Sequence, residues 1–342
     1  MADSPLSSSE LSAEVLDSPA PSLYDIQRVV ADELKEFDEY FREAMRSEVG
    51  LLDKITQYIL RQKGKRIRPT LVLLTAKACG GITETSYRGA ALVELMHTAT
   101  LVHDDVVDDA QERRGLFSIN ALWKNKIAVL MGDFLLSQGL LLSLSHKDYR
   151  LLHILSEAVS RMSEGELLQI EKSRHLNIDE DTYYRIISDK TASLIAACTM
   201  SGGYSVDASE ERIKQMRAFG ESLGLAFQIR DDLFDFGTAD VGKPLGIDLQ
   251  EKKITLPLIH ALRSSSKKER RAILKIVRQD EKDWNDIKRI RRFVQERGGI
   301  DYARNAMRQH ARDALHQLAS LPPTPARDAL VDLVAFTVAR SR

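Results

Sequence analysis

Two short runs of aspartate carry the strongest chemical signal in this 342-residue sequence. The first run, DDVVD, contains Asp104, Asp105 and Asp108, and the second run, DDLFD, contains Asp231, Asp232 and Asp235. At about 100° per residue, this spacing places the three carboxylates of each run within one sector of a helix. Carboxylates without accompanying cysteines suit a hard cation such as Mg2+, which completes its shell with substrate phosphate and water. The sequence therefore predicts several magnesium ions at one active site.

Each run follows a long apolar stretch with helical periodicity. The first stretch covers about residues 87–102, and the second covers about residues 219–230. Negative charges crowded at the C-terminal end of a helix repel one another and the helix dipole, and a bound cation removes that conflict. A solvated acidic helix end remains the alternative for either run alone. Two runs with the same spacing, each after an apolar helix, favour metal binding.

Basic clusters accompany the acidic runs. The segment QKGKRIRP places Lys63, Lys65, Arg66 and Arg68 directly before an apolar helix, which is a plausible site for a diphosphate. Arg113 and Arg114 follow the first aspartate run, and Lys243 lies in a glycine-containing loop after the second. That loop suits a mobile flap over a phosphorylated ligand. A solvated basic loop is the alternative for each cluster taken alone.

Together, the acidic and basic residues predict a diphosphate held through metal ions. The metals would stabilise a departing diphosphate and leave an electrophilic carbon in an apolar cavity. The sequence offers no serine or cysteine nucleophile with its base, and the GKPLG segment lacks the Walker pattern.

The elements that must position these residues are helices. Periodicity that is almost uninterrupted after residue 23 predicts one large all-α domain over residues 23–342, with a disordered tail over residues 1–22. The helix after Gly115 is apolar nearly all round and is expected to be central. Glu166 and Gln169 are polar groups in a core-like pattern, and a solvated face explains them equally well.

Composition narrows the remaining classes of protein. A net charge of −1 gives no electrostatic footprint for nucleic acid. Cys79 and Cys198 lie far apart in the sequence and fit a reducing, cytoplasmic compartment without a disulfide framework or a zinc site. No run approaches 18 apolar residues, so no transmembrane segment is expected.

These motifs resemble the trans-type isoprenyl (polyprenyl) diphosphate synthases from about residue 23 onward. The resemblance implies an all-helical bundle with a central cavity, a homodimer and Mg2+ bound by both aspartate motifs. GKRIRP is similar to the family's isopentenyl diphosphate loop, which implies that Lys65, Arg68 and His97 bind that substrate. Arg113 would contact the allylic diphosphate and Arg114 the isopentenyl diphosphate. Further matches near the allylic substrate are Lys190, Thr191, Gln228 and Lys243.

The family's catalytic residues correspond here to Asp104, Asp105, Asp108, Arg113, Lys190, Asp231 and Asp232. The implied reaction is ionisation of an allylic diphosphate, attack by the isopentenyl double bond and loss of a proton. The sequence departs from the family at Lys63 and Lys252, where glycine is usual.

Product length depends on the residues before the first motif. A chain that grows from a diphosphate at Asp104 would pass over Ala99 and Thr100, which are small, whereas short-chain members commonly have an aromatic residue there. The run LMHTATLVHDD also resembles the long-chain subgroup. The sequence therefore predicts a product beyond about 20 carbons, near octaprenyl length, unless Met131 or Phe134 forms the floor of the cavity.

Three alternatives stay open from sequence. The chain could be a short-chain farnesyl or geranylgeranyl diphosphate synthase, or a non-catalytic regulatory subunit of a heteromeric synthase, although such subunits tend to lose the motif residues. The pair His103-Asp104 also permits a metal phosphohydrolase, but that hypothesis leaves the second aspartate run without a role.

Overall fold

The computed structural model describes residues 15–16, 19–62, 64–113, 115–237 and 247–340. These residues are almost entirely helical, which confirms the predicted all-α fold. Most of the predicted N-terminal tail lies outside the described residues, although Val15 and Leu16 are half-buried against the hydrophobic core. The predicted site residues Arg114 and Lys243 also lie outside the described part of the chain, as does Lys63.

In the first half of the described chain, two short antiparallel strands form a β-hairpin that connects two helices. The elements are α1 (Leu23–Arg28), α2 (Ala31–Ala44), α3 (Gly50–Arg61), α4 (Ile67–Cys79), α5 (Glu84–Val107), β1 (Glu112–Arg113), β2 (Leu116–Phe117) and α6 (Ile119–Ser145). The sequence analysis did not predict the short strands.

The second half contains a short π-helix between two α-helices. The elements up to residue 237 are α7 (Tyr149–His175), α8 (Glu180–Ile187), the π-helix (Ser188–Ala192), α9 (Ser193–Tyr204) and α10 (Glu210–Phe234). The elements from residue 247 are α11 (Ile247–Gln250), α12 (Leu256–Arg263), α13 (Lys267–Val277), α14 (Trp284–Glu296), α15 (Gly299–Leu318) and α16 (Pro325–Ala339).

The centre of the fold is α9, a helix of small and apolar residues that are nearly all buried. It packs against α4, α10, α7 and α5, and α10 in turn packs along α15. Helices α4 and α9 have apolar residues on all sides and therefore form an inner layer, whereas α13 and α14 are amphipathic and lie outside. This arrangement brings the ends of α5 and α10 and the π-helix around one region.

Helix α6 differs from its predicted central position. It packs along α5 on one side, but much of its apolar surface is uncovered because no other described helix packs along that side. Its exposed apolar residues are Leu122, Val129, Leu130, Leu140, Leu141 and Leu144. By length and composition, α6 could cross a membrane. The sequence did not indicate this, because the apolar residues of α6 do not form an uninterrupted run of about 18 residues.

Candidate functional site

Both aspartate motifs end long core helices, as the sequence predicts. The first two aspartates of each motif lie in the last turn of α5 or α10, and the third is the C-cap, Asp108 in α5 and Asp235 in α10. The negative end of each helix dipole therefore meets a cluster of carboxylates. This charge is favourable only with a positive group or ion nearby.

The middle aspartate of the first motif is withdrawn from solvent. Asp105 is only 3% exposed, and Arg113 Nε on the hairpin donates a hydrogen bond of 2.5 Å to its Oδ1. Its neighbours Asp104 and Asp108 are exposed. All three carboxylates lie at the end of α5, but the middle one is buried, and a buried carboxylate requires a partner, which Arg113 supplies.

The middle aspartate of the second motif is buried in the same way. Asp232 is 4% exposed, and its two carboxylate oxygens accept hydrogen bonds from Tyr183 Oη at 2.6 Å and from Gln228 Nε2 at 2.9 Å. Thr191 Oγ1 donates to Gln228 Oε1 at 2.9 Å, which extends the chain to the π-helix. Burial raises the pKa of Asp232 to about 7, although Tyr183 and Gln228 oppose the shift.

The outer aspartates of the second motif also have partners within the protein. Arg340 Nη2 donates a 2.6 Å hydrogen bond to Asp231 Oδ1, and the Arg340 guanidinium lies 3.7 Å from the centre of the Phe227 ring. Asp235 Oδ2 accepts a 2.7 Å hydrogen bond from the backbone N–H of Asp248. The second motif is therefore tied to the C-terminal end of the described chain and to α11.

The π-helix carries Lys190 toward the first motif. Lys190 Nζ forms an ion pair with Glu166 and lies 3.5 Å from Gln169 Oε1. Desolvation and the Glu166 carboxylate raise the pKa of Asp104, and Lys190 opposes that shift. Glu166 and Gln169, whose role the sequence left open, thus belong to the site.

Two adjoining cavities connect the motifs. The outer cavity, of about 710 Å³, is lined by Asp108, Glu166 and Arg278 among others. The inner cavity, of about 90 Å³, is lined by Thr191, Gln228, Asp232 and Asp248 among others. Both cavities are also lined by Gln169, Ser173, Lys190 and Lys253. Lys190 therefore lies between the two acidic motifs.

The basic loop reaches a third cavity, on the hairpin side of α5. Its lining includes Arg66, Glu94, Asp105 and Arg113. Arg66 begins α4 with a left-handed backbone (φ 52°) and pairs with Asp38 at 2.7 Å. The structure thus brings the basic loop together with the first motif, as the sequence predicts, and Gln62, Gly64 and Arg66 are the described loop residues that line this cavity.

The other predicted isopentenyl diphosphate ligands lie around this loop. The Lys65 side chain is exposed, Arg68 is half-buried, and His97 is 7% exposed within α5. Arg68 and Glu94 both act electrostatically on the Cys198 thiol, whose pKa is raised to about 12 by burial.

The chain-length candidates lie on another part of α5. Ala99 is fully buried, and the half-buried Thr100 donates a hydrogen bond of 2.9 Å from Oγ1 to the carbonyl oxygen of His97. The residues of α5 that line the third cavity are Glu94, Thr98, Leu101, Val102 and Asp105. The predicted path of the growing chain over Ala99 and Thr100 stays a prediction.

The structure shows the contacts of Lys252 and of His103, the residue behind the phosphohydrolase alternative. Lys252, which stands where the family usually has glycine, adopts a left-handed backbone (φ 60°) and pairs with Asp280 at 2.5 Å. His103 Nε2 lies 3.3 Å from the carbonyl oxygen of Val129 and 3.5 Å from Asp133, so it faces α6. This orientation disfavours a phosphohydrolase in which His103 and Asp104 share a metal.

The carboxylates of the aspartate motifs suit a metal ion that binds together with a diphosphate substrate. In the described part of the chain, no three His, Cys, Asp or Glu residues are grouped closely enough to hold an ion by themselves. Asp104 and Asp108 are exposed, and Asp108 lines the outer cavity. Mg2+ commonly takes only one or two carboxylates and completes its shell with water and phosphate oxygens. The donor set is therefore suitable for Mg2+ bound together with a diphosphate.

Comparisons with known proteins agree with this fold and site. Residues 49–294 match the model of the polyprenyl synthetase family. The octaprenyl diphosphate synthase of Escherichia coli is 34% identical over 323 residues, which cover 94% of this chain and 100% of that relative. The chain belongs to the polyprenyl synthetase family, as its motifs predict.

Solved structures of the family superimpose closely. A decaprenyl diphosphate synthase from Rhodobacter capsulatus has a TM-score of 0.89 at 35% identity, covering 94% of this chain and all of that one. A polyprenyl synthase from Caulobacter crescentus, solved with calcium and isoprenyl diphosphate, has a TM-score of 0.86 at 32% identity, covering 95% and 100%.

Several residues of the site were missed from sequence. Tyr183, Arg340 and Arg161 contact the motifs or the π-helix but lie far from them along the chain. Glu166 gave a signal, because a carboxylate interrupted an otherwise apolar helical pattern. Tyr183 and Arg340 gave no such signal in the sequence. An aromatic residue in a helix and a basic residue near the end of a chain are both common and do not indicate a functional site.

Proposed function

We propose that this chain condenses isopentenyl diphosphate with an allylic diphosphate, farnesyl or geranylgeranyl diphosphate, to make a long-chain all-trans polyprenyl diphosphate. The observation that carries the proposal is the placement of two aspartate motifs around adjoining cavities that share Lys190. Opposed carboxylates separated by a cation suit a polyanion held through metal ions. The names of the relatives support the same reaction.

The allylic diphosphate is assigned to the outer and inner cavities. Lys190 lines both cavities and Thr191 and Gln228 line the inner one, and all three would donate to the diphosphate oxygens. Arg113, which lines the third cavity beside Asp105, and Lys243 are assigned as further cations. The isopentenyl diphosphate is assigned to the hairpin side, with Lys65, Arg68, His97 and Arg114 as its ligands. Arg66 joins this set because it lines the cavity there.

Mg2+ is the metal we assign to both motifs. The ligands would be Asp104, Asp105 and Asp108 in the first motif and Asp231, Asp232 and Asp235 in the second. Magnesium ions bound there would neutralise the charge that develops on a departing diphosphate. Asp105 and the three aspartates of the second motif have partners within the protein, which hold these four carboxylates in place before any ion binds.

The reaction breaks the bond between C1 of the allylic substrate and its diphosphate oxygen, which leaves with the electron pair. The double bond of isopentenyl diphosphate then forms a new carbon–carbon bond to C1, and a proton is lost to the released diphosphate. Lys190 and Arg113 hold the leaving group, and their preorganised charges stabilise it without reorganisation.

Two finer assignments accompany this proposal. The chain acts as a homodimer, because α6 exposes several large apolar residues that a second copy can cover. Its location is cytoplasmic, which the two unpaired cysteines, Cys79 and Cys198, support.

Incubation of the purified chain with isopentenyl diphosphate, farnesyl diphosphate and Mg2+, followed by sizing of the products, tests the proposal. We expect a product beyond about 20 carbons, since the side chains of Ala99 and Thr100, which precede Asp104 on α5, are small. A product that stops at 15 or 20 carbons would identify the chain as a short-chain synthase. Elongation only after a second protein is added would identify it as a subunit of a heteromeric enzyme.

A further inference from the structure

The orientation of Lys190 and Thr191 depends on an irregular turn. Both residues lie in the π-helix Ser188–Ala192, between α8 and α9. A π-turn holds one more residue than an α-turn, so its loss would rotate the flanking residues by about 100° relative to one another. Such a turn persists only where its surroundings stabilise it.

Two glycines allow the neighbouring helices to reach the backbone of this turn. A Cβ on Gly165 of α7 would lie 2.8 Å from the backbone nitrogen of Lys190, and a Cβ on Gly224 of α10 would lie 2.5 Å from Cα of Ala192. Contacts this short exclude any side chain without movement of the backbone. Helices α7 and α10 therefore enclose the π-helix from two sides.

Arg161, one turn before Gly165, joins the same three elements through one guanidinium. Its Nε donates to Asp189 Oδ1 at 2.8 Å, and its Nη2 donates to Ser188 Oγ at 3.0 Å. Its Nη1 donates to Glu221 Oε1 on α10 at 3.2 Å. A planar fork with several donors suits this arrangement, and a lysine could not reproduce it.

This network is sheltered from solvent. The side chains of Arg161, Asp189 and Glu221 are 25%, 16% and 33% exposed, so their charges are screened less than those of a surface pair. Asp189 binds Arg161 while the next residue, Lys190, binds Glu166 and lines the cavities. The ion pair of Asp189 thus fixes the rotation that presents Lys190 to the site.

We propose that Arg161 is a positioning residue that keeps the π-helix in place and so sets the affinity of the enzyme for its allylic diphosphate. Arg161 acts through its hydrogen bonds to Asp189 and Ser188, and it does not itself line the outer or the inner cavity. The substrate assignment in this inference rests on the proposed function.

The test compares Arg161→Gln with Arg217→Gln as the matched control. Arg217 also approaches Glu221, at 3.6 Å, and it contacts Glu157 at 3.5 Å, but its ion pairs do not include the π-helix. For Arg161→Gln we expect the KM for the allylic diphosphate to rise about tenfold, which corresponds to the loss of a charged hydrogen bond. The KM for isopentenyl diphosphate should stay unchanged, and Arg217→Gln should alter neither value.

Hydrogen–deuterium exchange gives a readout that does not depend on catalysis. Amide exchange over residues 188–192 should become about tenfold faster in Arg161→Gln and stay unchanged in Arg217→Gln. If Arg161→Gln does not fold, Asp189→Asn removes the same ion pair with little change of shape and carries the same two expectations. Arg161→Lys keeps the charge and should give a smaller effect on both readouts.

Unchanged exchange over residues 188–192, or an equal rise of KM for both substrates, would overturn the role of Arg161. Absence of elongation by the wild-type chain would instead overturn the proposed function. The exchange measurement still decides whether Arg161 holds the π-helix in that case.

Discussion

The Tyr183 hydroxyl donates a 2.6 Å hydrogen bond to the carboxylate of Asp232, and both side chains are buried. Burial and the neighbouring carboxylate raise the pKa of Tyr183 well above its ordinary value, so the hydroxyl keeps its proton and remains a donor. The second aspartate motif therefore includes a tyrosine from α8 as a structural component.

Removal of this donor should destabilise the protein. For Tyr183→Phe, measured at pH 8 without metal, we expect the free energy of unfolding to fall by about 1–3 kcal/mol, because a buried carboxylate loses one of its partners. Urea denaturation measures the change. Tyr184→Phe is the control, since Tyr184 packs against the Tyr183 ring and its hydroxyl is not the donor to Asp232. Equal losses in both variants would contradict the role of the Tyr183 hydroxyl.

Asp232 should also control how stability depends on pH. Its pKa is raised to about 7 by burial, whereas an unfolded aspartate ionises near pH 4. Between these values the folded chain binds a proton that the unfolded chain has lost, so the contribution of Asp232 to stability is fully present below about pH 4 and is lost as the pH rises through about 7. The shift corresponds to at most about 4 kcal/mol.

Asp232→Asn tests this dependence. Denaturation of the metal-free protein between pH 4 and pH 8 should give a flatter profile for the variant than for the wild type. The exposed Asp301, on α15, supplies a control in Asp301→Asn, which should leave the profile unchanged. Parallel profiles for Asp232→Asn and the wild type would show that Asp232 ionises normally.

Lys190 should be required for use of the allylic substrate. It lines both adjoining cavities, and Lys190→Gln removes the charge that separates the two acidic motifs. We expect kcat/KM for the allylic diphosphate to fall by about 10- to 100-fold, in line with the loss of a charge-assisted contact. Lys172→Gln, on α7 and paired with Glu171, should have little effect, because Lys172 lines neither cavity. A similar loss in both variants would remove Lys190 from the site.

Product length should respond to bulk on α5. Thr100→Phe and, separately, Ala99→Phe should shorten the polyprenyl product while elongation continues, because an aromatic ring would block the path behind Asp104. Sizing of the products by reversed-phase chromatography or mass spectrometry measures the change. Unchanged length in both variants would place the floor of the cavity elsewhere, with Met131 and Phe134 as the next candidates.

The exposed surface of α6 should form a contact between two copies of the chain. Leu141→Glu places a charge among its apolar residues and should convert a dimer into a monomer, as light scattering after gel filtration would show. Leu167→Glu is the control, because Leu167 is also exposed but lies on α7. A wild-type chain that is monomeric at micromolar concentration would contradict the assignment.

Much of the site could be predicted from sequence because its chemistry is local. The spacing within each aspartate motif and the apolar helices before them place the carboxylates at helix ends, and the structure has them there. Sequence spacing does not reveal partners, however. The bonds of Asp105 to Arg113 and of Asp232 to Tyr183 depend on how the hairpin and α8 pack, which periodicity within one element does not determine.

The wrong prediction for α6 has a related physical cause. Apolar residues all round a helix indicate burial, but they do not say whether the covering atoms come from the same chain or from another one. The π-helix was likewise unpredicted, since it depends on close contacts of Gly165 and Gly224 with the turn between α8 and α9.

A dimer formed through the uncovered leucines of α6 would make the thermal stability of the protein depend on its concentration. If association of two copies removes this surface from water, mass action makes the melting temperature rise with protein concentration. Dilution would then lower the melting temperature. Assays at nanomolar enzyme would measure a less stable species than assays at micromolar enzyme. Residues such as Leu130 and Leu141 would in this way set the concentration range over which the α5–α6 pair remains folded.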